Sequence, residues 1–374
     1  ARYNRPMDFE LPPEDHPYRL IVRGWLSDFP SPTPAQLASS GFVVPHWPLP
    51  WGRGANPIEQ IIIDDELKRA GIRRPVNPIG IGWAGPTILH AGTDAQRERY
   101  LGPIISGEEI WCQLFSEPNA GSDLASIQIR AERDGDEWVV NGQKIWTSLA
   151  QYSSFGILIA RTDPTATKHN GISYFICPMN TSGIEVRPIV GMTGEQLFNE
   201  VFFVDVRLPK ENLVGEVNHG WELAKVTLAN ERVSLSTGGV LWGAGPTAYD
   251  LIDEVKARGA CTDAVLRQRL ARVFSEEKIL DLLRMRSITS RLKGEQPGPE
   301  SSIRKFLADV HGQRTMAIAL ELEGTNAMIE HPNNQWERGF LFSSALTIGG
   351  GTSEIQRNIL GERVLGLPGD PMVN

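Results

Sequence analysis

The middle of the chain carries the clearest pattern of apolar and polar positions. Residues 111–115 read as a strand-like apolar run, which breaks into a loop at residues 116–123. In the stretch that follows, Ile127 and Ile129 share one face of an alternating pattern, and Gly135 falls at a turn. The pattern therefore predicts a β-meander in this region.

Two further strands are predicted around Asn141-Gly142, a dipeptide typical of β-hairpin turns. They span residues 138–140 and 144–148, and the second carries Trp146 beside two hydroxyl side chains. Later segments of the same kind are residues 155–160, 172–177 and 201–206. On the pattern alone, the tryptophans here are core residues of a small antiparallel sheet.

Helical periodicity predominates on both sides of the strands. The predicted helices are residues 15–29, 58–70, 86–90 and 94–101 before the strands, and 221–254, 262–292, 300–328 and 353–365 after them. Thr93-Asp94 is expected to cap the fourth helix and Gly102-Pro103 to end it. The stretch 30–54, dense in proline, glycine and tryptophan, is expected to be an ordered loop. The long helices after the strands predict an antiparallel bundle.

Composition and charge narrow the class of protein. The chain has 374 residues, of which 41% are hydrophobic and 22% charged, which is typical of a globular protein. The net charge is -8 without a basic tract, which argues against nucleic acid or an anionic membrane as a partner. No apolar run reaches the roughly 18 residues of a membrane span. The N-terminus does not resemble a targeting peptide, although one could have been removed.

The three cysteines, Cys112, Cys177 and Cys261, lie far apart and form no CxxC pair. This spacing favours neither a disulfide framework nor a zinc site, and no metal is expected. Free thiols are typical of a reducing compartment, so the expected location is the cytoplasm.

The loop at residues 116–123 is the first candidate for chemistry. It offers exposed backbone N–H groups and the hydroxyls of Ser116 and Ser122, which suit an anionic or heteroaromatic ligand. Such a loop is weak support for a cofactor site by itself.

Five segments in a fixed order make a stronger signal, and together they resemble the acyl-CoA dehydrogenase family. The segments are TILHAGTDAQRERYLGPIISGE (87–108), FSEPNAGSD (115–123), NGQKIWTS (141–148), VRLPKENLVGEVNHGW (206–221) and GGGTSEIQRNILGE (349–362). The resemblance implies an α+β fold with an N-terminal helical domain (1–110), a middle antiparallel β-domain (111–215) and a C-terminal four-helix bundle (216–374). It also implies FAD as the cofactor.

Members of this family remove two hydrogens from the Cα–Cβ bond of an acyl-CoA thioester. A carboxylate takes the Cα proton, and flavin N5 takes hydride from Cβ. In many relatives the base is a glutamate just before the Gly-Thr of the GTSEIQR-like segment, but here that position is Gly350. A second arrangement places the glutamate on the first long helix after the strands, where this chain has Glu231.

Glu231 is therefore predicted as the general base. Helical spacing puts it on one face with Thr227, Leu228, Ser234 and Leu235, a partly apolar wall of the kind that raises the pKa of a carboxyl group. A glutamate on a helix is usually exposed to solvent and has no catalytic role. Glu231 is preferred as the base only because Gly350 occupies the position at which many relatives carry their catalytic glutamate. Arg232 is expected to orient nearby groups or to contact the CoA.

The resemblance also assigns the remaining site residues. The backbone N–H of Gly350 is expected to hold the thioester oxygen, together with a flavin hydroxyl. The expected flavin contacts are Gln113, Phe115, Ser116, Ser122 (on the phosphate or substrate side), Trp146, Ser148, Thr352 and Glu354. Each has a simpler interpretation as a packing or capping residue, and Thr352 in particular can cap its helix.

Two segments depart from the family. Homotetrameric relatives complete each flavin site from a neighbouring subunit with an Arg-x-x-Phe-Gly segment and a Gln-rich Gly-Gly segment. Here the matching stretches are KARGACT (256–262), which keeps Arg258 but lacks Phe-Gly, and LELEGTN (320–326), which has one glycine. The prediction is an α2β2 complex with a second dehydrogenase-like subunit; the alternative is a homo-oligomer with diverged flavin contacts.

Such paired subunits act on bulky CoA thioesters, including steroid side chains, and an electron-transfer flavoprotein is the expected acceptor. Two other functions stay open at this point. One is an acyl-CoA oxidase, although those chains usually carry an extra C-terminal domain. The other is a non-catalytic structural subunit, which Glu231 and the intact flavin segments argue against.

Overall fold

The structure is a computed structural model that describes residues 12–236, 245–292, 298–299, 301–329 and 334–369. Tertiary contacts divide these residues into two compact units. The first unit holds the described residues up to 191 together with 196–231, and the second holds 192–195 and the described residues from 232 onward. The three-domain division at residues 110 and 215 stays a prediction.

Five helices open the first unit: α1 Pro17–Asp28, α2 Pro34–Ser39, α3 Pro57–Arg69, α4 Gly85–Ala91 and α5 Asp94–Ser106. Capping boxes start α2, α3 and α5, each with a proline or an acidic residue in the first turn. Thr93 caps α5 as predicted. The predicted end at Gly102-Pro103 is wrong, because α5 continues to Ser106 and is capped by Gly107 in the left-handed conformation at φ +73°.

Eight strands follow α5 in the chain: β1 Trp111–Leu114, β2 Arg130–Asp134, β3 Glu137–Lys144, β4 Phe155–Arg161, β5 Ile172–Pro178, β6 Ile184–Ile189, β7 Phe198–Pro209 and β8 Leu213–Val214. They form one sheet in the order β6-β7-β3-β2-β4-β5-β8, with β1 beside β4. Most neighbours are antiparallel, as predicted, while β4 pairs in parallel with β1 and β2. The sheet is therefore mixed at its centre.

The predicted hairpin turn at Asn141-Gly142 is wrong. Both residues lie inside β3, where the register against β7 shifts between Val140 and Gly142. Gly142 has φ +147°, and a Cβ there would lie 2.7 Å from Ile129 Cγ1, so a close backbone approach explains this glycine. The actual turn lies between β2 and β3 at Gly135, which has φ +62°.

The predicted strand at 144–148 is also wrong, because β3 ends at Lys144 and the residues after it are not extended, although the N–H of Thr147 still donates to the carbonyl of Asn199 in β7. Trp146 and Leu149 have positive φ angles of 59° and 63°, which no strand accommodates. The other predicted strands are confirmed: 111–115 as β1, 138–140 within β3, and the three later ones as β4, β5 and β7. Inward-facing residues of the sheet, among them Leu114, Val140, Leu158, Phe175 and Val201, form its buried core.

The first unit ends in helix α6, Gly220–Ser236, whose residues beyond 231 belong to the second unit. The second unit contains α7 Ala248–Ala257, α8 Ala264–Leu292, α9 Ser301–Glu323, α10 Gln335–Leu346 and α11 Ser353–Ile359. Helices α7 to α10 pack around a cluster that includes Leu251, Val273, Met316 and Trp336. The predicted helix 221–254 is thus two helices, α6 and α7, and residues 237–244 lie outside the described ranges.

The predicted α+β fold, with helices before and after a central sheet domain in chain order, is confirmed. None of the helices in the described part of the chain combines the length and apolarity that a membrane span requires.

Candidate functional site

The two segments predicted to hold the cofactor, FSEPNAGSD and NGQKIWTS, lie side by side in the first unit. The backbone N–H of Ile145 donates to the carbonyl oxygen of Ser116 at 2.9 Å. The ammonium of Lys144 donates to the carbonyl oxygen of Phe115 at 2.8 Å. The chain therefore brings together the loop after β1 and the bend after β3, which are separated by about 30 residues of sequence.

A buried ion pair holds this junction. Lys144 is fully buried, and its Nζ lies 2.9 Å from Glu117 Oε1. The Glu117 carboxylate also accepts hydrogen bonds from the backbone N–H of Gln128 at 2.6 Å and of Ile129 at 3.1 Å. Burial lowers the pKa of Lys144 to about 8, against an ordinary value of 10.5.

Sequence reasoning missed this pair, although the sequence carries a signal for it. Lys144 continues the alternation of Trp138 and Val140, so it stands at a position that faces the core. A lysine on a buried strand face requires a carboxylate or carbonyl partner. The loop glutamate at position 117 was the nearest candidate in the motif.

Trp146 combines two unusual features. Its backbone is left-handed at φ 59°, and its side chain is 58% exposed. The indole makes an edge contact with Phe198 at 6.0 Å between ring centroids. A strained backbone that presents a large aromatic side chain to the outside is typical of a ligand-binding position rather than of a core residue.

Three serine hydroxyls lie on the same two segments. Ser116 and Ser148 are half-buried and Ser122 is exposed. Within the described residues, none of the three hydroxyls makes a hydrogen bond. The loop that carries Ser122 is fixed beside it, because Asp123 accepts from Ser126 and from Lys168, each at 2.6 Å.

These groups fit a flat heteroaromatic cofactor. Trp146 offers an aromatic face, and the unused hydroxyls of Ser116 and Ser148 offer donors and acceptors for the edge of a ring system. Ser122 and the N–H groups of its loop suit a phosphate. The chemistry of this donor set is what an isoalloxazine ring with its ribityl and phosphate chain requires.

Glu231 lies on α6 and is buried, with 8% of its surface exposed. The amide nitrogen of Gln113, on β1, donates to Glu231 Oε2 at 3.2 Å. Gln113 was predicted only as a flavin contact, and the structure places its amide on the predicted base. The carboxylate is thus joined to the strand that leads directly into the cofactor loop.

A chain of buried hydroxyls fixes α6 one turn before Glu231. Thr227 Oγ1 lies 2.8 Å from Thr87 Oγ1 and 3.0 Å from the hydroxyl of Tyr174. Thr87 also donates to the carbonyl of Trp83 at 3.0 Å. Burial raises the pKa of Tyr174 well above its ordinary range, so this residue stays neutral. The network joins α4, β5 and α6, and sequence reasoning named Thr227 only as part of a helix face.

The remaining predicted residues lie in the second unit. Gly350 and Gly351 have positive φ angles of 70° and 90°. Gln356, which is fully buried, donates to both of their carbonyl oxygens at 3.1 and 3.3 Å. The segment before α11 is therefore held in a conformation that favours glycine.

Thr352 caps α11, because its hydroxyl accepts from the N–H of Ile355 at 3.3 Å. Glu354 is largely exposed and lies 3.7 Å from Arg357. The simpler interpretation of Thr352 as a cap is confirmed, and flavin contacts of both residues stay predictions. The side chain of Arg232 lies outside the described part of the structure.

Arg258, the surviving residue of the first degraded segment, is engaged inside its own subunit. Its guanidinium donates to Glu254 at 2.6 Å and to the carbonyl of Leu322 at 3.0 Å. Leu322 belongs to the second degraded segment, so the two segments contact each other.

Comparison with known proteins gives the family. Three domain models of acyl-CoA dehydrogenases match this chain: the N-terminal domain over residues 21–108, the middle domain over 112–206 and the C-terminal domain over 218–365. The chain is 43% identical to the acyl-CoA dehydrogenase FadE34 of Mycobacterium tuberculosis over 89% of its length, but spans only 45% of that protein. It is 39% identical to the acyl-CoA dehydrogenase IpdE1 of the same organism, over 89% of this chain and 86% of IpdE1.

Solved structures agree with these relatives. The ChsE4-ChsE5 complex from Mycobacterium tuberculosis superposes with a TM-score of 0.77 at 31% identity, over 97% of this chain and all of the matched chain. The Tcur3481-Tcur3483 steroid acyl-CoA dehydrogenase superposes with a TM-score of 0.77 at 29% identity, over 94% of this chain and 96% of the matched chain. The chain belongs to the acyl-CoA dehydrogenase family, whose members are FAD-binding flavoproteins.

Proposed function

We propose that this chain carries out the FAD-dependent α,β-dehydrogenation of a bulky acyl-CoA thioester, with Glu231 as the general base. The observation that carries the proposal is the buried Glu231 carboxylate, 3.2 Å from the amide of Gln113 on the strand that leads into the cofactor loop. The usual position of the base is occupied by Gly350, which has no side chain to take a proton.

The chemistry divides between the chain and its cofactor. The Glu231 carboxylate accepts the Cα proton as the Cα–H bond breaks, and the electron pair of that bond begins to form the Cα–Cβ double bond. When bound, FAD accepts the hydride that leaves Cβ. The backbone N–H of Gly350 is the donor that the resemblance assigns to the thioester oxygen, which needs stabilisation as negative charge develops.

This chain's own residues also prepare the cofactor site. The Lys144–Glu117 pair fixes the distance between the loop after β1 and the bend that carries Trp146. Trp146 would cover one face of the ring, and Ser116 and Ser148 would bond its edge. Burial of Glu231 excludes water from the base, as proton abstraction from a weak carbon acid requires.

The substrate we propose is a CoA thioester of a steroid side chain or a comparably bulky acyl group. The support is the similarity to a protein described as a steroid acyl-CoA dehydrogenase. A second candidate substrate, a straight-chain fatty acyl-CoA, follows from the family alone. Turnover of butyryl-CoA would support this second candidate over a bulky acyl group.

A second dehydrogenase-like subunit is the partner we propose, in an α2β2 complex with an electron-transfer flavoprotein as acceptor. Two observations support it: the similarity to the two-protein ChsE4-ChsE5 complex, and the internal bonds of Arg258. Because Arg258 is satisfied by Glu254 and Leu322, it is a poor donor for the flavin of another copy of this chain.

The base assignment is tested with the Glu231→Gln variant. It should retain bound FAD and lose turnover of a steroid side-chain CoA thioester by about 10²–10⁴-fold, because the proton acceptor is removed without a change of shape. The matched control is Glu222→Gln, an exposed glutamate on the same helix that pairs with Lys225. Equal turnover of wild type and Glu231→Gln would refute the assignment.

The partner is tested by the ratio of bound flavin to protein. This chain purified alone should bind little FAD, and co-expression with a neighbouring dehydrogenase-like subunit should restore one FAD per heterodimer. One FAD per chain in a homo-oligomer would exclude the paired complex. Rapid reoxidation of the reduced flavin by air would instead indicate an acyl-CoA oxidase.

A further inference from the structure

We infer that Gln113 is a positioning residue for the general base: its amide holds the Glu231 carboxylate in the ionised form and in one orientation. The inference rests on the proposed function of Glu231 and assigns Gln113 a role beyond a flavin contact. The observation is the bond of 3.2 Å between Gln113 Nε2 and Glu231 Oε2.

The two residues stand on elements that are fixed independently of each other. Gln113 lies on β1, opposite Ile157 of β4, between the fully buried side chains of Cys112 and Leu114. Glu231 lies one turn after Thr227, which is tied to Thr87 and Tyr174. Because neither backbone is free to shift, the hydrogen bond sets the direction of the carboxylate rather than following it.

The direction of the bond fixes its chemical effect. A glutamine amide that meets a carboxylate must present its nitrogen, because two acceptor oxygens would repel each other. An N–H donor stabilises the charged form of the acid more than the protonated form. Gln113 therefore keeps Glu231 ready to accept a proton at neutral pH, despite the burial that favours the protonated acid.

The donor that Gln113 supplies to Glu231 carries no charge of its own. Gln113 does not titrate, and Tyr174, the titratable residue of the adjoining hydroxyl network, stays neutral because burial raises its pKa. Neither residue changes its charge over the pH range in which a carboxyl group titrates. Loss of the Gln113 donor should therefore change the protonation of Glu231 itself. The pH profile of turnover reports that protonation directly.

The variant that isolates the bond is Gln113→Met, which keeps the length of the side chain and removes the donor. In the complete holoenzyme, the acidic limb of the profile of kcat/KM against pH should move upward by about one pH unit, because the carboxylate loses a charge-assisted hydrogen bond. At neutral pH, kcat should fall more than the affinity for substrate. Gln113→Glu, which places a like charge beside the base, should move the limb further in the same direction.

The matched control is Gln143→Met. Gln143, on β3, donates to Glu200 of β7 at 2.9 Å, so the variant removes the same kind of bond from the same sheet. Its pH profile should coincide with that of the wild type. If Gln113→Met also leaves the acidic limb of the profile of kcat/KM against pH unchanged, the inference is wrong.

Failure of this inference is distinct from failure of the proposed function. If Glu231→Gln abolishes turnover while Gln113→Met leaves the pH profile unchanged, Glu231 is the base and Gln113 does not position it. If Glu231→Gln retains turnover, the base assignment itself fails. Measuring bound FAD in Gln113→Met separates a lost flavin contact, which lowers FAD content, from a moved pH profile at full FAD content.

Discussion

The ammonium of Lys144 lies 2.8 Å from the carbonyl oxygen of Phe115 and so joins the end of β3 to the end of β1. The same ammonium pairs with Glu117, and both side chains are buried. The bond crosses the junction at which the two cofactor segments meet. The buried ammonium of Lys144 thus holds the two segments of the candidate flavin site together, although it is not exposed at the surface of that site.

Replacing Lys144 with methionine should destabilise the first unit and weaken FAD binding. Glu117 would stay buried with its two backbone donors but without a cation, which costs about 3 kcal/mol or more. The measurement is the midpoint of urea unfolding with and without FAD. The control is Lys210→Met, which removes an exposed pair with Asp136 at 2.8 Å and should leave the midpoint almost unchanged.

The same lysine predicts a pH dependence of stability. Its pKa is about 8 in the folded chain, against an ordinary 10.5, so between these pH values the unfolded chain holds a proton that the folded chain has released. Rising pH therefore favours folding, and this contribution is lost as the pH falls through about 8. The difference in urea midpoint between wild type and Lys144→Met should grow over this window. A constant difference would contradict it.

The exposed indole of Trp146 should contribute to cofactor affinity rather than to stability. With 58% of its surface exposed, the side chain has little packing to lose, but stacking on a ring is worth about 1 kcal/mol. Trp146→Ala should weaken FAD binding about fivefold, as measured by equilibrium titration. Tyr152→Ala, at a residue 70% exposed, is the control and should leave FAD affinity unchanged.

The sequence predicted the elements whose signal is local. Helical periodicity located α3, a capping residue located the start of α5, and alternation located β4, β5 and β7, because these features depend on neighbours within a few residues. The order of five motifs gave the family and the cofactor. Two helices were missed. Helix α2, Pro34–Ser39, lies inside the stretch 30–54 that was wrongly expected to be a loop throughout, and α10, which Asn334 caps, follows residues without a strong periodic pattern.

What the sequence could not give depends on contacts between distant segments. The bond from Gln113 to Glu231 spans 118 positions, and neither residue carries a local sign of the other. Thr87 and Thr227, which are 140 positions apart, show the same limit. Asn141-Gly142 was predicted as a turn because the dipeptide is typical of turns. In the structure, the glycine is needed because its backbone lies too close to Ile129 to leave room for a side chain.

The close contact between the Gly142 backbone and Ile129 predicts that replacing Gly142 with alanine destabilises the first unit more than the same replacement at Gly135. Gly142→Ala should destabilise the first unit by about 2–3 kcal/mol, because its Cβ would lie 2.7 Å from Ile129 Cγ1. Gly135→Ala should cost only about 1 kcal/mol, since its φ of +62° is strained but nothing lies within 4 Å of the added Cβ. Thermal unfolding of both variants measures the difference. Equal costs would mean that β3 relaxes away from Ile129.

The hydroxyl chain under Glu231 gives the last prediction. In Thr227→Val, the hydroxyls of Tyr174 and Thr87 each lose their hydrogen-bond partner on α6, in a buried site. Leaving such groups unsatisfied costs about 1–3 kcal/mol, so the thermal midpoint should fall. Turnover should fall as well, because the turn of α6 that carries Glu231 loses its anchor to β5. Thr227→Ser keeps the hydroxyl and should restore both quantities. If Thr227→Val lowers the midpoint but leaves turnover intact, the network stabilises the fold without positioning the base.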